Sequence, residues 1–191
     1  MSYLLYALTQ LIEIGFNVVV MLFLARLAAE ASRADFRNPL SQLIYRITNP
    51  VLAPIRHILA NWRTINLAAL LVIWLLLLIE QLLLWSLAGH LPHLGGLLII
   101  ALAKLIDFVL LFYLVLIVAW SLLSLLSNHW HHPLNTLIST IVQPLMRPLR
   151  GKLVFGMVDF TPTAVIIALM LGRWIMAAPL LNLGEQLAGI P

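Results

Sequence analysis

A chain of 191 residues that is 63% hydrophobic and only 9% charged, with a mean hydropathy of +1.05, lies far outside the composition of a soluble domain. It reads as an all-α integral membrane protein. Its net charge of +4 comes from 11 basic residues scattered through apolar sequence, which is the bias of a membrane protein with basic inner loops rather than of a nucleic-acid binder. The absence of cysteine excludes disulfides, thiolate metal sites, catalytic thiols and Cys-x-x-Cys-His haem attachment.

The first apolar segment runs from Leu8 to Ala29 and carries Glu13 and Arg26; about 20 residues match a hydrocarbon core of about 30 Å. Ala29-Glu30-Ala31 has the small residues of a signal-peptidase site, but Met1 to Gln10 holds no Lys or Arg. The segment is therefore expected to remain as a span.

Residues 38–56, NPLSQLIYRITNPVLAPIR, recur 94 positions later as residues 132–150, HPLNTLISTIVQPLMRPLR. Pro39, Pro50, Pro54 and Arg56 become Pro133, Pro144, Pro148 and Arg150, so the chain contains a duplicated unit. Leu40, Leu43, Ile44, Ile47 and Val51 follow helical spacing, with Ser41, Gln42, Tyr45, Arg46 and Thr48 on the other side. Proline inside a helix costs about 3 kcal/mol, whereas at the first helical position it costs almost nothing. The pattern predicts Asn38 as N-cap, a short helix to Thr48, a turn at Asn49-Pro50 and a second helix past Arg56. The second copy begins on His132, a poorer cap. Both amphipathic loops, 38–60 and 132–154, need a bilayer surface or neighbouring helices to cover their stripe.

A second span covers residues 66–88 and carries Glu80, and the Gly- and Pro-rich turn from Gly89 to Gly96 reverses the chain. The third span covers 97–126 and the fourth 163–180, interrupted by Gly172 and Arg173; the tail from Leu181 shows no periodicity that predicts an element. Two units result, 1–94 and 95–191, each a span, an amphipathic loop and a span. With two crossings per unit the repeats run parallel. The loop after span one holds Arg33, Arg37, Arg46, Arg56 and Arg63 and that after span three Arg147, Arg150 and Lys152, while the outer turn and both tails hold no Lys or Arg. Both loops are expected on the cytoplasmic face of the inner membrane, with both termini periplasmic.

Charges inside spans default to a functional hypothesis. The candidates are Glu13, Arg26, Glu80, Lys104, Asp107 and Arg173. Against an ion or proton path stands structural pairing: Lys104 with Asp107 at i,i+3 and Arg26 with Glu30 at i,i+4, leaving Glu80 without a local partner. His129, His131 and His132 cluster around Trp130. Such a group can bind metal or haem iron, and the alternative is an interfacial aromatic flanked by polar residues. No nucleophile-base-acid set, phosphate loop or zinc motif is present, so neither an enzyme, a resident metal nor a cofactor is expected. In the Val158-Asp159-Phe160-Thr161-Pro162 approach to span four, Asp159 is a natural N-cap and, with one gap, faces Asn66 of the first copy.

The paired Asn/His-Pro…Pro-x-x-x-Pro-x-Arg cores and the Val-Asp-Phe-Thr-Pro segment resemble the YggT family of small bacterial membrane proteins, called YlmG in some lineages and present in chloroplasts. The resemblance spans nearly the whole chain as two family units and takes in the repeated prolines, Arg56, Arg150 and Asp159. It implies a multi-span inner-membrane protein with no established enzyme activity. Roles linked to the family are haem attachment and cytochrome complex assembly, cell division or nucleoid organisation, and osmotic tolerance. The expectation is an assembly or docking platform whose loops bind a membrane-protein partner or anionic inner-leaflet lipid, in a form compatible with a homo-oligomer. The alternative is a small ion or solute transporter or channel component.

Overall fold

The computed structural model describes residues 3–126, 132–155 and 158–189. Its elements are α1 (Tyr3–Ala31), α2 (Pro39–Arg56), α3 (Leu67–Leu87), α4 (Leu94–Leu126), α5 (Pro133–Met146), α6 (Thr161–Gly172), a π-helical turn (Arg173–Ala177) and α7 (Ala178–Ala188). A minimal antiparallel pair, β1 (Val154–Phe155) with β2 (Val158–Asp159), precedes α6. Four helical stretches, α1, α3, α4 and the continuous run from α6 to α7, are long and apolar enough to cross a bilayer. The tandem order expected of the chain is thus present, with α2 and α5 as the short helices of the two repeats.

Lipid tails are as apolar as leucine, so spans associate through close packing rather than through escape from water. Ala68, Ala69, Ala101 and Ala103 are all essentially inaccessible and let backbones approach. Val20, Phe23 and Leu24 of α1 pack with Val72, Ile73 and Leu77 of α3 in one cluster, which Phe112 of α4 and Leu137 and Ile141 of α5 join. A second cluster gathers Ile117, Ile138, Val142, Met146, Val165 and Leu169 from α4, α5 and α6. Helices α4 and α5 contribute to both clusters and join the repeats. Leu11, Ile14, Val18, Ile79 and Val115 face outward.

The N-caps Asn38, Asn66 and His132 are as expected, whereas α6 is capped by Phe160 and the expected Asp159 stands one residue before it. Asn38 Oδ1 accepts from the Leu40 amide at 2.9 Å, and its Nδ2 donates to the Pro133 carbonyl at 2.7 Å, tying the first turns of α2 and α5 together. His132 Nδ1 accepts from Leu134 at a longer 3.3 Å.

The proline turn is corrected. α2 runs unbroken through Pro50 and Pro54. Both prolines are exposed, so each carbonyl deprived of its amide donor lies on the open side of the helix, where it can find another partner. In the second copy Pro144 is inside α5, which closes at Met146, and Pro148 falls in the turn that follows.

The tail is corrected as well. The helix passes Gly172 and Arg173 by widening into the π turn and continues to Ala188, where Gly189 at φ 72° ends it. α7 lies against the start of α4 so closely that a Cβ on Gly96 would fall 2.1 Å from the Ala188 nitrogen, and one on Gly184 2.9 Å from the Ile100 nitrogen. These glycines make the contact possible. They carry no helical periodicity, which is why the tail was unreadable in isolation.

Candidate functional site

The polar groups of the first repeat converge where α1 ends. Arg26, 1% exposed, forms an ion pair with Glu30 one turn on, and its guanidinium lies 3.7 Å from the centroid of the Tyr45 ring on α2. Arg56 Nη2, from the last turn of α2, donates to the same Glu30 Oε1. Asn66 Nδ2 donates to the other oxygen, Glu30 Oε2, at 2.7 Å, while Asn66 Oδ1 accepts from the Ala69 amide at 3.0 Å and caps α3. One carboxylate thus clamps α1, α2 and α3 of the first repeat. The expected Arg26–Glu30 pair is present, enlarged into a network.

Asn66 is fully buried, and both ends of its amide are used, which fixes its orientation. Two guanidiniums share one carboxylate, and Nε of both Arg26 and Arg56 has no hydrogen-bond partner among the described residues. The network carries an excess positive charge.

The second repeat distributes its charges differently. Arg150, the counterpart of Arg56, is exposed. Ser124 stands at the position matching Glu30, and Asp159 at the one matching Asn66, so the carboxylate has moved from the end of the first span to the approach to the second. Asp159 Oδ1 accepts from the Thr161 amide at 2.9 Å from one residue before the helix cap, Phe160. Hydrogen bonds from the Thr161 side chain and amide hold the Asp159 carboxyl below its ordinary range.

Inside the spans, the expected Lys104–Asp107 pair is replaced by a long-range one. Arg173 Nε and Nη2 donate to Asp107 Oδ1 and Oδ2 at 2.6 and 2.9 Å, a two-pronged bond between α4 and the π turn. Glu80 is 1% exposed, and its Oε2 has no hydrogen-bond partner among the described residues. When the copies are aligned with the single gap, Glu80 faces Arg173 and Glu13 faces Asp107. Where the second repeat has an ion pair, the first has two acids.

The sequence does not mark Glu30, Asn66 and Tyr45 as one site, because Asn66 reads as a cap and Tyr45 as part of a polar face. The exchange of Glu30 and Asn66 for Ser124 and Asp159 between the copies is the signal that could have found them. Of the histidine cluster, His132 is engaged as the α5 cap, and His129 and His131 lie outside the described residues.

Comparison with known proteins places these features in context. The CCB3/YggT family matches residues 5–87 and again 99–180. The chain is similar to "Uncharacterized protein YggT" of Escherichia coli K12, at 29% identity over 85% of each chain. It is also 30% identical to "Uncharacterized protein in proC 3'region" of Vibrio alginolyticus, over 87% of this chain and 91% of that one. An uncharacterized protein of Pseudomonas aeruginosa is 33% identical over 81% of this chain and 80% of its own. No solved structure gives a significant match.

Proposed function

This chain belongs to the CCB3/YggT family, and from that premise we propose that it is a non-enzymatic assembly or docking factor of the cell inner membrane that binds a membrane-protein partner. The observation that carries this is the unequal fate of one repeated surface. On α2 the stripe Leu43, Ile47 and Val51 is 54, 51 and 46% exposed. In the second copy, Leu137 and Ile141, the counterparts of Leu43 and Ile47, are 7 and 3% exposed, covered within the bundle. Helix α2 instead turns Ser41, Thr48 and Leu52 inward. An apolar helical stripe of the kind that α5 buries internally is open on α2, as helix-in-groove recognition requires.

The two copies should therefore respond differently to one substitution. Leu137→Asp places a carboxylate in the core and should sharply lower accumulation of the protein. Leu43→Asp should accumulate normally in the membrane and lose a co-purifying partner instead. Equal loss of accumulation for both would mean that the α2 stripe is structural.

Orientation belongs to the same proposal, with the basic loops on the cytoplasmic face and the termini in the periplasm. Single cysteines can be placed without background, since the chain has none. Pro92→Cys should react with an impermeant thiol reagent in intact spheroplasts, and Asn61→Cys only after lysis. The reverse pattern would put the platform on the other side.

A second reading, a small ion or solute transporter or channel component linked to osmotic tolerance, is favoured by Glu80 alone, a buried carboxylate with an unbonded oxygen among the described residues. As a docking factor, Glu80→Gln should fold and keep its partner, and reconstituted vesicles should show no ion flux for it to abolish. Flux that vanishes in Glu80→Gln, with folding and partner unchanged, would select the transporter.

A further inference from the structure

At the basic end of the bundle, beside the Glu30 network, lies a cavity of about 860 Å³. Its charged wall is made by Arg33 and Arg37 from the α1–α2 connection and Arg63 from the loop before α3, with Glu30 and Asp35 as the acids. Glu30 is already occupied by Arg26 and Arg56. Asp35 Oδ1 is engaged by the Arg37 backbone amide at 2.8 Å. Among the described residues, Arg33, Arg37 and Arg63 form no ion pair. Five arginines, Arg26, Arg33, Arg37, Arg56 and Arg63, meet two carboxylates, Glu30 and Asp35, leaving a local excess of three positive charges.

The backbone points to the same place. Among the described residues, the two non-glycine positions with positive φ are Arg33 at 55° and Arg63 at 54°, and both line this cavity. The left-handed region costs a residue with a Cβ about 1 kcal/mol or more and is where glycine is usually found. At these positions the strained conformation is combined with a guanidinium, the side chain whose fork matches phosphate oxygens. Gln42, Asn61 and Thr64 add neutral polar groups to the wall. The cavity runs into a second, smaller groove of about 310 Å³ lined by Phe36, Gln42 and Tyr45, with which it shares Phe36 and Gln42.

We propose that Arg33, Arg37 and Arg63 form a binding site for the phosphate of a phosphate ester. The uncompensated positive charge and the guanidinium as a side-chain type suit such a headgroup, and the open hollow has room for one. The adjoining Phe36–Tyr45 groove gives an acyl chain a path away from it, which fits an anionic phospholipid. A free phosphate ester presents the same chemistry to the arginines, and the test separates the two sources. The site deepens the docking reading by naming a ligand at the basic end. It shares no residue with the Leu43, Ile47 and Val51 stripe, so loss of a protein partner and loss of the anion are distinguishable.

The test uses the full chain purified in mild detergent. Phosphatidylglycerol is offered and its retention counted by native mass spectrometry, and lipid-stripped protein is titrated calorimetrically with inorganic phosphate and glycerol 3-phosphate. Arg33→Gln/Arg37→Gln/Arg63→Gln should lower anion affinity by more than about tenfold, a factor that a single charge-assisted bond can supply. Arg147→Gln/Arg150→Gln/Lys152→Gln, the same charge change in the other loop, should retain it. Arg33→Gly/Arg63→Gly separates binding from folding, because glycine suits both backbone positions: its melting temperature should not fall, while anion binding is lost. Retention of phosphatidylglycerol that only the first-loop variants lose identifies a lipid source. Saturable binding of glycerol 3-phosphate or phosphate without lipid retention, again lost only in those variants, identifies a soluble one. Equal behaviour of the two triple variants, unchanged binding in Arg33→Gly/Arg63→Gly, or no binding of any probe overturns the proposal.

Discussion

Glu30→Gln is expected to destabilise the protein by about 3–5 kcal/mol, the usual effect of deleting one partner of a buried ion pair, and to lower its accumulation in the membrane. Arg56 is not the cause, since its side chain is 25% exposed and can turn toward water. Arg26 cannot: it is 1% exposed beneath the Tyr45 ring, and without Glu30 its charge has no counterion among the described residues. Replacing that cation by an apolar group of similar length should therefore rescue, so Arg26→Met in the same chain should recover much of the lost stability, whereas Arg56→Gln should not. Thermal unfolding of the unaltered protein and these three variants in detergent gives the answer. Rescue by Arg56→Gln and not by Arg26→Met would mean that Glu30 serves the loop rather than the span.

Asp107→Asn should have an effect of similar size for a different reason. It strands Arg173 within a bilayer-length helix, where an unpaired arginine costs about 3 kcal/mol on insertion scales, and it removes the link between α4 and the π turn. Arg173→Gln in the same chain should restore part of the loss, and Lys104→Gln should restore none, because Asp107 bonds to Arg173 rather than to Lys104. Yield of folded protein and melting temperature distinguish the two. Rescue by Lys104→Gln would reinstate the local i,i+3 pair.

The second prediction turns on a charge whose partner lies far along the chain, and in the first the local Arg26–Glu30 pair is joined by groups that lie just as far away. Glu30 reaches Asn66 across 36 residues and Asp107 reaches Arg173 across 66. Pattern reading can see i,i+3 and i,i+4 neighbours, so it found Arg26 with Glu30 and offered Lys104 for Asp107. In the second case it chose the neighbour on the same helix over the charge on the adjacent span. The π turn that accompanies the Asp107–Arg173 bond leaves no mark in composition, where Gly172-Arg173 reads only as an interruption.

Local composition and spacing account for the spans, the repeat and the helix starts. Runs of about 20 apolar residues exceed what a soluble helix needs and must cross a bilayer; the recurrence of three prolines and an arginine at 94 residues reveals the tandem unit; and Asn38 and His132 declare their helix starts, because a cap acts within one turn. The remaining features came from contacts between segments far apart in the chain. Whether Pro50 breaks α2 depended on which side of the helix was left open, whether the tail formed a helix depended on Gly96 and Gly184 meeting Ala188 and Ile100, and which copy of the apolar stripe was covered depended on how the bundle is filled around α5. Those outcomes rest on shape and close packing between distant segments, and two stretches that share their proline and apolar spacing could therefore bury one face in the second repeat and leave the same face open in the first.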